Sequence, residues 1–370
     1  MGISAIFDTA TWAHVPFHFW TVAFFVLGSI VGSFLNVCIY RMPLNQSIVS
    51  PPSHCPHCNY SIPWYLNIPL VTWLYLKAKC ANCGAPISIR YWLVELLTGI
   101  VFMMCWLGFG HQSAAGALVY SIFLAALIVA TFIDFEHYII PDEITLGGIV
   151  AGLLASLLVP ALHGVSSPGK ALQASFTGAL VGGAVVYGIL RLGKLMFGIR
   201  RVKLEPGTRV YFTETALILP GEEIAYEELL YRPKDTIKLD ATTVELSDRC
   251  YQNVTVRLRP NKLMIGEEEI DPNTVPHLEV MTSELELPRE AMGLGDVKFM
   301  AMIGAFLGWQ AIFFSLMVSS IIGSAVGVGL ILARKQAWSS RLPYGPYIAL
   351  AAAIWVFGGK FFWERFWGMR

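Results

Sequence analysis

Apolar residues cluster along the chain in eight stretches, at 19–40, 91–108, 115–133, 144–161, 174–196, 297–308, 311–333 and 346–362. A helix crosses the hydrocarbon core of a bilayer with about 20 such residues. The sixth stretch is short, and Gly308 is placed to turn it straight into the seventh. Between the fifth and sixth stretches the pattern changes. "TTVEL" (242–246) and "VTVRL" (254–258) alternate apolar and polar positions, as half-buried strands do, and "KLMIGEEEI" (262–270) predicts a hairpin with Gly266 near its turn. The pattern predicts an all-α polytopic membrane protein of about eight transmembrane helices, with a small β-rich insert.

Composition agrees with this. Of 370 residues 55% are hydrophobic and 14% charged, against about 25% charged in soluble domains. The formal net charge of zero hides an asymmetry. Residues 201–290 hold 11 Lys+Arg and 18 Asp+Glu, which makes them an acidic, water-loving block within a sparsely charged chain. Basic residues orient the helices. Arg41, Lys77, Lys79 and Arg90 follow the first stretch, Arg191, Lys194, Arg200 and Arg201 the fifth, and Arg334, Lys335 and Arg341 the seventh. With eight spans these segments share one side. The positive-inside bias then puts the 41–90 loop, residues 134–143 and the acidic block in the cytosol, and the N-terminus outside. The first 18 residues lack the basic start of a cleavable signal peptide.

The expected divisions are a first span (1–40), a cysteine loop (41–90), spans containing Asp134 (91–200), the acidic insert (201–290) and the closing spans (291–370). The insert carries no catalytic constellation and reads as a structural or docking element.

Two carboxylates are placed for chemistry. Asp134 ends the apolar run "SIFLAALIVATFI", and Asp296 stands in "GLGDVK" where the sixth stretch begins. If they face one another they share a proton, so that one acts as base on water while the other acts as acid. Gly293 and Gly295 would let an extended substrate backbone approach Asp296. The competing reading is that each Asp marks a helix boundary. It suits Asp296 as an N-cap, and suits Asp134 less, because a negative charge at a helix C-terminus is opposed by the dipole. Asp142 in "IIPDEIT" reads as an N-cap. Glu95 lies within the second stretch and must face protein or water rather than lipid. Lys298 either snorkels or neutralises charge beside Asp296.

"CPHC" (55–58) and "CANC" (80–83), with 21 residues between them, suit a closed tetrahedral structural zinc site formed by Cys55, Cys58, Cys80 and Cys83. Two matched pairs weigh against a redox motif, and a reducing cytosol weighs against disulfides.

Together these segments resemble the type IV prepilin peptidases, also called leader peptidase/N-methyltransferases. The resemblance rests on "GSFLNVCIYRMP" (32–43), "CPHCNYSIPWYLNIPLVTW" (55–73), "CANCGAPISIRYWLVELLTG" (80–99), "FIDFEHYIIPD" (132–142), "MGLGDVKFMAMIGAFLGW" (292–309) and "RLPYGPYIALAA" (341–352), in family order. It implies Asp134 and Asp296 as the catalytic pair, with Asp142 in the motif but outside the pair. It also implies the four cysteines as zinc ligands, and a multi-pass enzyme of the bacterial inner membrane whose site faces the cytosol. The implied substrates are prepilins or pseudopilins of type IV pilus or type II secretion systems. Their basic leader is cut and the new N-terminus is methylated with S-adenosylmethionine. Ala78 stands where the family usually has Gly, and Leu66 where it often has an acidic residue. The lipid bilayer is an expected partner, pilus or secretion machinery is an expected partner of the 201–290 insert, and nucleic acid is not expected. Rival readings are a presenilin-like GxGD protease acting on other membrane helices, a non-catalytic zinc-binding assembly protein, and a transporter using intramembrane carboxylates.

Overall fold

The computed structural model describes residues 15–230, 235–246, 248–275, 277–288, 293–333 and 342–367. Arg334, Lys335 and Arg341, which helped to orient the chain, lie outside the described residues. The chain forms two compact units, one made of Met1–Val186 with Leu294–Arg370 and the other of Tyr187–Gly293.

The first unit is helical. Its helices are α1 (Phe17–Arg41), the short α2 (Val71–Tyr75), α3 (Ile89–Phe109), α4 (Ala114–His137), α5 (Asp142–Leu158) and α6 (Pro168–Phe197), whose last residues enter the second unit. Past α7, a single turn in the second unit (Tyr226–Leu229), follow α8 (Leu294–Leu307), α9 (Trp309–Leu332), α10 (Gly345–Ile354) and α11 (Lys360–Trp367). Local chemistry sets several ends. The Ser88 hydroxyl accepts from the Arg90 amide at the start of α3, and Ser113 does the same for Gly116 at the start of α4. Gly308, at φ 81, turns α8 into α9.

Among the described residues, five helices are long and apolar enough to cross a membrane: Phe17–Leu44, Ile89–Phe109, Ala114–His137, Pro168–Met196 and Trp309–Leu332. The other three expected spans are helical but shorter. α5 has 17 residues, α8 has 14, and α10 has 10 before a π-helical turn at Trp355–Gly359. At 1.5 Å per residue, α8 rises about 21 Å, less than the roughly 30 Å of a hydrocarbon core.

α8 is nonetheless buried along much of its length. Phe299, Met300, Met302, Ile303 and Ala305 are fully buried. Glycines bring its neighbours close: a Cβ on Gly178 of α6 would lie 2.1 Å from the Gly304 carbonyl oxygen, and one on Gly152 of α5 would lie 2.8 Å from the Ala305 Cβ. Ser175 of α6 donates to the Ala305 carbonyl at 2.7 Å. Small residues set α1 against α3 likewise, with Gly32 facing the Glu95 Cα and Gly99 facing Ser29.

The second unit is an eight-stranded antiparallel sheet in the order β3-β2-β1-β8-β4-β5-β6-β7. The strands are β1 (Ile199–Phe212), β2 (Ala216–Leu219), β3 (Glu222–Ala225), β4 (Ile237–Glu245), β5 (Cys250–Arg259), β6 (Lys262–Ile265), β7 (Glu268–Ile270) and β8 (Leu278–Pro288). The two alternating segments lie in β4 and β5, which pair with one another, and the β6–β7 hairpin turns at Gly266, φ 62. Val210, Leu217, Val244, Val280 and Leu285 are fully buried, giving the sheet its own core. Lys194 pairs with the buried Asp235 at 2.7 Å within this unit.

Candidate functional site

Asp134 lies in the last turn of α4 and is 5% exposed. A charge there opposes the dipole of its own helix, and the fold answers with another helix. The Gly345 amide, at the first residue of α10, donates to Asp134 Oδ2 at 2.9 Å. The carboxylate therefore sits at a helix N-terminus, where exposed amides favour negative charge. Asp296 is 9% exposed in the first turn of α8, also at the favourable end of a helix. Because α8 begins at Leu294, Asp296 lies inside the helix and is not its N-cap.

Ile140 joins the two neighbourhoods. A Cβ built on Gly345 would lie 2.7 Å from Asp134 Oδ2 and 3.1 Å from Ile140 Cδ1, and one built on Gly295 would lie 3.4 Å from Ile140 Cβ. Gly345, bonded to Asp134, and Gly295, the residue before Asp296, thus both lie close to one residue. At 3.4 Å a methyl on Gly295 makes ordinary contact, so packing does not require glycine there. Gly293 is exposed.

Asp142 does not cap α5. The cap position is Pro141, without a side-chain hydrogen bond, and the Asp142 carboxylate instead takes Lys298 Nζ at 2.6 and 2.8 Å. Lys298 thus pairs with Asp142, a partner that neither expected reading of this lysine named. Arg90, before read only for its charge, pairs with Glu136, two residues beyond Asp134.

The cysteine loop contains two copies of one turn. The Cys55 amide donates to the Tyr60 carbonyl at 3.0 Å and the Asn59 amide to the Cys55 carbonyl at 2.9 Å. At the equivalent places in the second copy, Cys80 donates to Ala85 at 2.8 Å and Gly84 to Cys80 at 3.0 Å. Asn59 (φ 55) and Gly84 (φ 71) take the left-handed position in each. The four sulfurs lie within 4.8 Å of one another, and those of Cys55 and Cys83 are 3.9 Å apart. Zn–S bonds of about 2.3 Å in a tetrahedron give an edge of roughly 3.8 Å, so the donor set fits zinc with small adjustment. Backbone amides of Cys83 and Asn82 aim at the Cys80 sulfur and hold its thiol down to about 6, favouring a thiolate there, while at Cys83 the Ala85 backbone bond is outweighed by burial and the three neighbouring thiols, which push that thiol up to about 11.

Glu95 is buried in α3 and accepts the Leu70 amide at 2.8 Å, tying this loop to a membrane helix. Arg41, also buried, donates to the Ser47 and Pro51 carbonyls. Leu70 and Gly345 were not singled out as functional from sequence. Both lie in quoted motifs, "NIPL" and "YGPY", but an amide's partner has no signature in residue type.

Fold and site together define a multi-pass membrane protein that combines two buried acids at helix N-termini with a four-thiol loop. Residues 26–109 match the bacterial peptidase A24 N-terminal domain, and residues 121–204 and 282–328 match the type IV leader peptidase family. The chain belongs to that family, whose members are enzymes. It is 32% identical over 317 residues to a prepilin leader peptidase/N-methyltransferase of Myxococcus xanthus, covering 85% of this chain and 64% of that protein, just under two thirds of its length. It is 28% identical over 359 residues to one of Aeromonas hydrophila, covering 90% and 89%. It is 41% identical over 180 residues to a type 4 prepilin-like proteins leader peptide-processing enzyme of Escherichia coli, covering 44% and 64%. No solved structure matches.

Proposed function

We propose that the chain cuts the basic leader from type IV prepilins or pseudopilins at the cytosolic face of the bacterial inner membrane, with Asp134 and Asp296 as its catalytic pair. The observation that carries this reading is the burial of both carboxylates at helix N-termini, Asp134 against the Gly345 amide and Asp296 in the first turn of α8, with Ile140 close to both Gly345 and Gly295. In the ionised partner, one Asp takes a proton from water as the water oxygen attacks the scissile carbonyl carbon. The protonated partner donates to the carbonyl oxygen. Collapse of the tetrahedral adduct breaks the C–N bond, and the amine leaves with a proton returned from the pair.

Cys55, Cys58, Cys80 and Cys83 hold a structural zinc that folds the loop and takes no part in cleavage. S-adenosylmethionine is a co-substrate of a second reaction, methylation of the new N-terminus. The proposed topology has eight spans, the three short helices completing the bundle. In the proposed division of labour, 41–90 is the zinc and methylation loop, 91–200 and 291–370 supply the aspartates, and 201–290 docks onto pilus or secretion machinery or gates cleavage. Deleting 203–286 with a short linker is expected to impair cleavage, and wild-type activity would refute gating.

The direct test is a processing assay on a model prepilin with Asp134→Asn and Asp296→Asn made separately. Each is expected to abolish cleavage while the protein still inserts and retains zinc. Asp142→Asn is expected to keep much of its activity. An inactive Asp142→Asn beside an active Asp134→Asn would refute this pair.

A further inference from the structure

Between the two cysteine turns the chain reads "WYLNIPLVTWLY" (64–75), 12 residues without a charge. Its side chains are not folded away. Trp64 is 82% exposed and Tyr75 77%, and Tyr65, Val71 and Leu74 are more than half exposed. Such a patch marks a contact surface rather than a solvated loop.

Two hydrogen bonds fix its level. The Trp73 indole N–H donates to the Ile87 carbonyl at 3.2 Å, just before α3 begins at Ile89. The Leu70 amide reaches Glu95 Oε2 at 2.8 Å, six residues inside α3. α3 has 21 residues and rises about 31 Å, close to the thickness of the hydrocarbon core. Glu95 therefore lies about 9 Å along the helix from Ile89, and the segment descends beside the first turns of a membrane helix. Ile89, Leu93 and Leu97, spaced four apart and exposed, mark a lipid-facing stripe on that helix. A γ-turn at Leu70 (φ 64, ψ −45), closed by the Val71 amide on the Pro69 carbonyl at 2.7 Å, aims the Leu70 amide at Glu95. Exposed Lys77 and Lys79 follow directly. Aromatic residues, then aliphatics, then flanking lysines is the chemistry of an anionic headgroup layer.

We infer that residues 64–75 are an interfacial anchor, lying in the phospholipid headgroup layer on the face where α1 ends and α3 begins and setting the level of the cysteine loop against the bilayer. The occupant of the patch is lipid. A substrate helix or a second copy of the chain is the alternative that the test separates.

The test places the photo-crosslinking residue p-benzoylphenylalanine at Trp64, Tyr75 or Ala81 of the full chain. Ala81 is the exposed control within the second cysteine turn. The protein is reconstituted in vesicles of phosphatidylethanolamine and phosphatidylglycerol, with and without a model prepilin, and adducts are read by mass. Each variant is first checked for zinc content. Phospholipid adducts at 64 and 75, unchanged by prepilin and missing at 81, support the anchor. Adducts only to prepilin or to a second copy, equal lipid labelling at all three sites, or no lipid adduct at 64 and 75 would overturn it. Because the readout does not involve cleavage, its failure is separate from failure of the assigned catalytic pair.

Discussion

The Gly345 amide donates to Asp134 Oδ2 at 2.9 Å across 211 residues of sequence, and that bond leaves no room for a side chain at 345. A Cβ there would stand 2.7 Å from the same oxygen and 3.1 Å from Ile140 Cδ1. Gly345→Ala is therefore expected to push Asp134 out of position. Displacing a reacting group by about an ångström costs on the order of 100-fold in rate, so cleavage of a model prepilin is expected to fall by about that factor. Membrane insertion and zinc content are expected to stay normal. Wild-type kinetics would show that Asp134 does not need this amide.

Lys298 and Asp142 hold the first turns of α8 and α5 together through two contacts, at 2.6 and 2.8 Å. Both side chains are partly exposed, so solvent limits the pair to about 0.2–1 kcal/mol. Lys298→Met and Asp142→Asn are each expected to lower the melting temperature in detergent by a few degrees at most. The double variant is expected to lose little more than either single one. Cleavage is expected to persist in all three, and a dead Lys298→Met would mean that the lysine acts on Asp296 directly.

Some of this architecture was readable from residue type, and some was not. Alternation in 242–258 predicted strands because a half-buried sheet imposes period two, and β4 and β5 contain those segments. Two matched CxxC pairs predicted a four-thiol cluster because ligand chemistry leaves few other uses for that spacing, and the sulfurs converge. Span count was less legible. Apolar character marks 297–308 as buried but does not distinguish lipid from protein as its surroundings, and α8 is a short helix packed within its bundle. The Asp142 cap was misread because Pro141–Asp142 has the composition of a helix start, while its partner Lys298 is 156 residues away. Glu95 is expected from sequence to face protein or water rather than lipid, and the group it accepts from is a backbone amide, which carries no residue-type signal.

Metal binding to the cysteine loop is expected to depend on pH with a definite sign. The Cys83 and Asn82 amides hold the Cys80 thiol at about 6, below its ordinary 9.0. A lowered thiol favours the folded loop when deprotonated. Without metal, this contribution is complete above pH 9, declines as pH falls, and is gone below about 6. Zinc also needs thiolates, so protons compete with it in the same direction. Chelator-treated protein is expected to show faster proteolysis within 41–90 at pH 6 than at pH 9. Untreated protein is expected to lose zinc as pH drops below 6, read by metal analysis. Cys80→Ser is expected to abolish metal binding and the pH dependence together.

Ala78 precedes the third cysteine by two residues and adopts φ 58, directly after Lys77 at φ 51. Its amide follows the end of α2, and its carbonyl accepts the Ile87 amide at 2.7 Å, closing the second cysteine turn. The left-handed conformation is therefore fixed by hydrogen bonding. It costs an L-residue with a Cβ about 1–2 kcal/mol relative to glycine. Glycine's larger freedom in the unfolded chain offsets about 0.4–1 kcal/mol of that. Ala78→Gly is expected to stabilise the loop by up to about 1 kcal/mol, read as slower zinc loss to a chelator and slower proteolysis within 41–90. Ala78→Val, with a β-branched side chain at the same φ, is expected to do the reverse. Cleavage is expected to be unchanged in both. A glycine variant that releases zinc faster than wild type would show that Ala78 is not strained where it stands.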